Sequence, residues 1–363
     1  MQSIITRRSF IGGLAVAGGS GLMVPSWAIK PKRKLGVALV GLGYYSEHLL
    51  APGLQLTQNC ELRGIVTGSP EKIPKWQKQY AIADKNVYNY ENMSSVANNP
   101  DIDVLYIVVP TFLHKKYSVI AADAGKHVWC EKPMAMTVDE CQTIIDACSK
   151  NKVKLSIGYR LQHEPNTRSV MKLARTQAYG KPKAVISKAG YAGNGAEPSN
   201  WRMDRSKGGG AMYDMGVYPI NAARYGTAME PIAITARHET TRPEIFKHCD
   251  ETSIFTLEFP NGVQADCATS VGQDFNHLKV TAEKGWYELQ PMQSYTGVKG
   301  RTSDGRKLNK TIAHQQATQM DDDALAILQN TDVMVPGSEG LKDIHVVEGA
   351  LQSAKTQKRV ALV

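Results

Sequence analysis

Two short motifs hold residue types that could handle a nucleotide and a proton. Gly41-Leu42-Gly43-Tyr44-Tyr45-Ser46 follows directly on the strand-like run Lys34–Val40 and leads into a helical stretch. In a strand–turn–helix unit the first glycine permits the tight turn, and the second lets backbone approach a pyrophosphate. The phosphate charge then rests on the free N–H groups of the helix N-terminus. Ser46 stands at the third glycine position of that fingerprint, with a side chain small enough for close helix–strand packing. Glu131-Lys132-Pro133 closes a second apolar run, Lys126–Cys130. A charged pair at the C-terminal edge of an open α/β sheet falls where a nicotinamide would lie.

The end of the second strand, Glu61–Thr67, bears on the choice of cofactor. NAD enzymes usually place an acid there for the ribose 2′-hydroxyl. Here Thr67-Gly68-Ser69 takes that place, with Lys72 one helical turn on. No carboxylate repels a 2′-phosphate, and a hydroxyl and an ammonium can bind it. The residues favour NADP(H) over NAD. A further run, Asp103–Val109, ends in Pro110-Thr111 and then Leu113-His114. Val109, Pro110, Thr111, Leu113 and His114 are therefore expected along the same cofactor as Leu42, Tyr44 and Tyr45.

These motifs need a parallel sheet to hold them. Lys34–Val40 is apolar on both faces, as a central parallel strand requires. With 363 residues, the chain has room for a signal and two domains. Thr6-Arg7-Arg8-Ser9-Phe10-Ile11-Gly12 reads as a twin-arginine export signal, with an apolar run to about Val24. Small residues at Ser26 and Ala28 predict cleavage after Ala28. Ile11–Val24 is shorter than the ~20 residues of a spanning helix. That route carries folded proteins, so a cofactor acquired in the cytoplasm would travel to the periplasm with the chain. The translocation machinery is then a partner. The net charge of +9 is scattered, and no stretch interleaves cations and aromatics as a nucleic-acid surface would. None of the 6 cysteines forms a Cys-x-x-Cys pair, so neither a metal knuckle nor a redox motif is expected. Folding before export predicts free, buried thiols.

With these residues assembled, the chain resembles the glucose–fructose oxidoreductase family, the Gfo/Idh/MocA group that shares a Glu-Lys-Pro motif. The matching segments are Gly41–Tyr45, Glu131–Ala135, Gly158-Tyr159-Arg160 with His163 and Pro165, Trp201-Arg202 through Gly208–Gly210 to Asp214–Tyr218, and Pro336–Asp343. The resemblance implies an α/β Rossmann domain over 29–155 after a signal at 1–28. An α+β domain with an open, mainly antiparallel sheet follows over 156–363. The runs Ser253–Phe259 and Val263–Ala268, with Pro260-Asn261-Gly262 between them, agree with such a sheet. One sheet face would pack on the Rossmann half and the other bury in a homodimer, with a tetramer as the larger assembly. Only Ile29–Arg33 precede the first strand, too short an arm to wrap a neighbouring subunit.

The resemblance also implies the roles. Lys132 matches the family's catalytic lysine, Asp214 its substrate-side acid and Tyr218 its proton-transfer residue. Tyr159 and Arg160 would line the nicotinamide end with the substrate, and Trp201-Arg202 the cofactor or the sugar. Removing hydride from a sugar C–H requires a base for the adjacent hydroxyl proton. A free tyrosine, with a pKa near ~10, is too weakly acidic for that task at neutral pH. An ammonium at Lys132 would favour the phenolate. Asp214 and Tyr218, four apart, share a face if helical, although Pro219 suits a helix start. The expected activity is a ping-pong sugar oxidoreduction on one retained NADP(H). The alternatives are a nicotinamide-dependent glycosidase and a catalytically silent sugar-binding protein.

Overall fold

The computed structural model describes residues 33–193 and 197–362. The twin-arginine motif, the cleavage site and most of the short arm lie outside the described residues. Six parallel strands form the first sheet: β1 (Leu35–Val40), β2 (Cys60–Val66), β3 (Val87–Tyr88), β4 (Val104–Ile107), β5 (His127–Cys130) and β6 (Leu155–Ile157). Their order is β3-β2-β1-β4-β5-β6, so β1 lies inside the sheet, paired with β2 and β4. All residues of β1 are buried, as an apolar run with two covered faces demands. The strand order reverses at β1, and the ligand crevice of such a sheet opens at that point. β6 begins at residue 155, so the expected break there falls at the start of a Rossmann strand.

The second sheet has nine strands among the described residues, ordered β14-β13-β12-β11-β7-β10-β9-β8-β15. They are β7 (Pro182–Ala192), β8 (Ala233–Glu239), β9 (Thr252–Glu258), β10 (Gln264–Ser270), β11 (Gly272–Ala282), β12 (Gly285–Leu289), β13 (Gly300–Thr302), β14 (Lys307–Leu308) and β15 (Val360–Ala361). All neighbours run antiparallel except β7 and β10. Asn261 makes the β9–β10 turn at φ 64°. The helix Val217–Thr227 packs across β7, β10 and β11, and Ser187 Oγ donates to the Pro219 carbonyl at 2.9 Å.

One late helix ties the two halves together. Gln315–Leu328 returns to the Rossmann sheet, where Met320 and Ala324 join the core of Leu39, Leu54, Cys60 and Trp129. All six cysteines are buried and free. Among the described residues no helix is long and apolar enough to cross a membrane.

Candidate active site

The glycine turn is built for close approach. Gly41 sits at φ 100°, and a Cβ there would fall 2.5 Å from the Val108 carbonyl oxygen. A side chain at this position would be strained twice over. Above Gly43 a Cβ would meet nothing within 4 Å, so the turn presents open backbone to a ligand. Ser46 does more than stay small: its hydroxyl donates to the Gly41 carbonyl at 2.6 Å and closes the turn. Lys72 Nζ donates to the Leu42 carbonyl at 2.8 Å, which places its ammonium on the turn itself. Thr67 is buried and its hydroxyl accepts from Ser69 N–H at 3.0 Å. Of the expected 2′-phosphate ligands, Thr67 thus shapes the loop, while Ser69 and Lys72 keep polar hydrogens for an anion. A cleft of about 390 Å³ beside them is lined by Thr67, Gly68 and Tyr88–Asn92. The residues present fit a dinucleotide.

At the ends of β4 and β5 the chain forms a buried brace. His114 Nδ1 lies 2.9 Å from the Pro133 carbonyl and Nε2 2.8 Å from the Val109 carbonyl, and the neutral ring donates to one of the two. Burial pushes its pKa down. His114, expected along the cofactor, is a buried ring that braces the end of one strand against the end of the other. Thr111 is buried against Gly208 and Leu113 is half-buried, while Pro110 leads into their short helical turn. Val109 covers the back of Gly41.

Lys132 reaches from β5 to the second domain. Its Nζ donates to the Asp214 carbonyl at 2.8 Å, lies 4.0 Å from Asp214 Oδ1, and sits 4.8 Å from the centre of the Tyr218 ring. A wide, π-type turn over Met212–Gly216 precedes the helix Val217–Thr227, so helical structure begins before Pro219 and Asp214 shares a face with Tyr218. Pro219 stands five residues after Asp214 and has no N–H to close such a turn on its carbonyl. That carbonyl takes the lysine instead. Arg202 Nε approaches Asp214 Oδ1 at 3.7 Å, and Tyr191 donates its hydroxyl to Oδ2 at 3.2 Å. Arg202 also stacks on Trp201, 4.4 Å from the ring centre. The structure therefore brings Lys132, Asp214, Tyr218 and Arg202 together, and adds Tyr191.

Glu131 lies under this group. It accepts from the Tyr106 hydroxyl at 2.7 Å and from Lys132 N–H at 3.2 Å. Burial pushes its carboxyl above the ordinary range, against those bonds and the Lys132 charge. A Cβ on Gly158 would fall 2.5 Å from its Oε1, so the carboxylate needs that glycine. Two residues on, Arg160 returns to the site: its guanidinium lies 5.7 Å from the Tyr218 ring centre and 4.5 Å from that of Tyr295. The residue between faces the other way. Tyr159 is buried with its hydroxyl toward Asp343 and Arg224; its own burial first, and then the Asp343 charge, push its pKa well up, while Arg224 opposes them. The expectation that Tyr159 touches substrate is corrected: the backbone turns between Gly158 and Arg160 and leaves it in the core.

The helix Gln315–Leu328 supplies groups that sequence reasoning missed. Gln315 accepts from Arg160 Nη1 at 2.8 Å, and Gln316 donates to the Tyr45 hydroxyl at 3.3 Å. Gln319 donates to the Tyr106 hydroxyl at 3.1 Å. Tyr106 thus accepts from Gln319 and donates its own hydroxyl hydrogen to Glu131. Tyr45 itself is pushed well up by burial, with Glu131 adding to the shift. Tyr44 is 73 % exposed and packs on His48. His163, from the same matching segment, is buried and bonds Asp322 at 2.9 Å. Among the described residues no group of three or more His, Cys, Asp or Glu is placed to hold a metal.

The fold and this site define a nicotinamide-dependent oxidoreductase. Residues 35–159 match the family model described as oxidoreductase family, NAD-binding Rossmann fold, and 167–288 match the GFO/IDH/MocA C-terminal domain. The chain belongs to the GFO/IDH/MocA family. It is 36% identical to the aldose–aldose oxidoreductase of Caulobacter crescentus, covering 91% of this chain and 100% of that one, with a TM-score of 0.86. A D-xylose 1-dehydrogenase of Haloarcula marismortui named for NADP(+) is 26% identical over 90% of this chain and 92% of its own. A levoglucosan dehydrogenase in complex with NADH and levoglucosan shares the fold at 19% identity, covering 91% and 100%, with a TM-score of 0.77.

Proposed function

We propose that this protein is a periplasmic sugar oxidoreductase that retains NADP(H), oxidising an aldose to its lactone and then reducing a second sugar to an alditol. The observation that carries the reading is the meeting of Lys132, Asp214 and Tyr218 at the C-terminal edge of a dinucleotide-binding sheet. The names of the Caulobacter and Haloarcula relatives support a sugar substrate and NADP. The Gly41–Gly43 turn, Ser69 and Lys72 would hold the dinucleotide, whose chemistry when bound is hydride acceptance from one sugar and hydride return to the next. Asp214, steadied by Arg202 and Tyr191, binds a sugar hydroxyl. Tyr218 takes the proton of the hydroxyl being oxidised and gives it back in the reverse direction. Lys132 fixes both partners, through the Asp214 carbonyl and through the face of the Tyr218 ring. A cofactor exported inside the folded chain meets no free pool to exchange with, so two sugars must share it in turn.

Mature protein purified without added nucleotide is expected to release one NADP(H) per chain on denaturation. Empty protein, or NAD alone, would overturn the retained-cofactor reading. The same preparation should scatter light as two chains, because the second sheet leaves the apolar Ile186 and Tyr191 exposed on its strand β7. Lys72→Glu loses the Leu42 contact and repels a 2′-phosphate, so NADP affinity should fall about tenfold further than NAD affinity. Changing Arg7 and Arg8 together to Lys should leave folded precursor in the cytoplasm. Fractionation showing the usual periplasmic amount would rule out the twin-arginine route.

A further inference from the structure

We propose that Tyr295 is the wall on which the pyranose ring of the aldose being oxidised stacks, and so a residue that selects the cyclic form of that first sugar. The inference rests on the sugar reading above and adds to it a subsite and a shape.

Tyr295 lies on the connection from Gln290 to Lys299, outside every strand and helix, yet the segment is tied down. Gln290 N–H donates to the Lys299 carbonyl at 2.7 Å. The Asn276 side chain bonds Gln293 twice, donating to its carbonyl at 2.7 Å and accepting from its N–H at 2.8 Å. Ser294 Oγ accepts from Thr296 N–H at 3.2 Å and Gly297 N–H at 3.1 Å, folding the turn around Tyr295. Gln293 also accepts from Arg160 Nη2 at 3.3 Å, which joins the segment to the site.

The ring is held by its neighbours and still meets solvent. Arg160 sits 4.5 Å from its centre, and the Tyr45 ring lies 6.5 Å away. Even so, Tyr295 is 45 % exposed. A half-exposed aromatic on a tied-down segment beside a proton-transfer tyrosine offers what a pyranose needs. The C–H groups on one face of a pyranose are weakly positive and apolar, and they pack on the negative face of an aromatic ring. An open-chain sugar presents no such flat face. Such pockets combine a few apolar walls with sparse, well-placed polar groups. The hydroxyl of Tyr295 senses Tyr218, Glu131 and Asp214, and burial with those groups pushes its pKa up to about 12. At neutral pH it therefore stays protonated and can donate to a sugar oxygen.

The test uses the mature protein and 1,5-anhydro-D-glucitol, a pyranose without an anomeric hydroxyl, followed by calorimetry. It reads binding without turnover. Tyr295→Ala should weaken binding about tenfold or more, and Tyr295→Phe, which keeps the ring, should weaken it less. In aldose turnover, Tyr295→Ala should raise KM by a similar factor and leave kcat within about threefold. The half-exposed position should leave the melting temperature unchanged. Equal binding by wild type and Tyr295→Ala overturns the proposal, as does a wild type that does not bind the anhydro sugar. A wild type that binds it, loses it with Tyr295→Ala and yet oxidises no aldose keeps the stacking wall and removes the aldose-oxidising reading instead.

Discussion

Tyr218→Phe should slow both half-reactions, reduction of bound NADP by an aldose and its reoxidation by a second sugar, by about 10²–10⁴-fold. The substitution keeps the ring that Lys132 faces at 4.8 Å and removes only the oxygen that carries the proton. Both directions pass through one proton transfer, so neither can be spared. Lys132→Ala should act on the same step, since it frees the Asp214 carbonyl and uncovers the ring together. Groups that act as a unit are not additive, and the double variant should be little slower than the poorer single one. Neither side chain touches the Gly41–Gly43 turn, so bound NADP(H) should stay near one per chain in each variant. Stopped-flow absorbance of the bound nicotinamide separates the two half-reactions. Near-wild-type rates in both directions for Tyr218→Phe would remove it as the proton carrier.

Much of this arrangement is legible in the chain because covalent neighbours carry it. The doubly apolar β1, the glycine turn and the Glu131-Lys132 pair are each local in sequence. Side-chain direction is not. Gly158-Tyr159-Arg160 reads as one motif, but Glu131 crowds Gly158, Tyr159 turns into the core and Arg160 comes back under Tyr218. His114 sits beside the cofactor strands, yet two carbonyls claim its ring. The least legible part is the Gln315–Leu328 helix. Its Gln315, Gln316 and Gln319 do not titrate and form no catalytic motif, and their spacing is that of any helix with one buried face. Only docking against the Rossmann sheet gives each amide a partner in the site. Tyr191 and Tyr295 escape notice for a related reason: a single aromatic on a strand end or a loop has no pattern to betray it.

Arg224→Ala should cost about 3–5 kcal/mol of folding stability at pH 8, the toll of leaving a buried carboxylate without its cation. Arg224 is 3 % exposed at its side chain and pairs with Asp343, which is fully buried, and with Glu230 and Glu339. Three carboxylates raise its pKa further above the ordinary arginine value, against the opposing effect of burial. Asn221 Nδ2 donates to Asp343 at 3.0 Å, and Tyr159 faces the same carboxyl. This network joins the helix Val217–Thr227, which carries Tyr218, to the helix Gly337–Thr356. Burial pushes Asp343 up to about 6, with Arg224 the strongest force holding it down. A carboxyl whose folded pKa exceeds its unfolded value costs stability when ionised; the cost starts to fall as pH drops through the folded value and is gone below the unfolded one. Removing Arg224 raises that folded value again. Above pH 6 wild type keeps the ion pair and the variant loses it. Below it both forms protonate Asp343 and the pair matters less. Urea unfolding at pH 8 and at pH 5 should therefore show the gap between variant and wild type narrowing toward acid. Asp343→Asn, which keeps the shape and removes the charge, should cost less than Arg224→Ala at pH 8. A gap under about 1 kcal/mol, or one that widens at pH 5, would mean that the helix carrying Tyr218 is held by its apolar face alone.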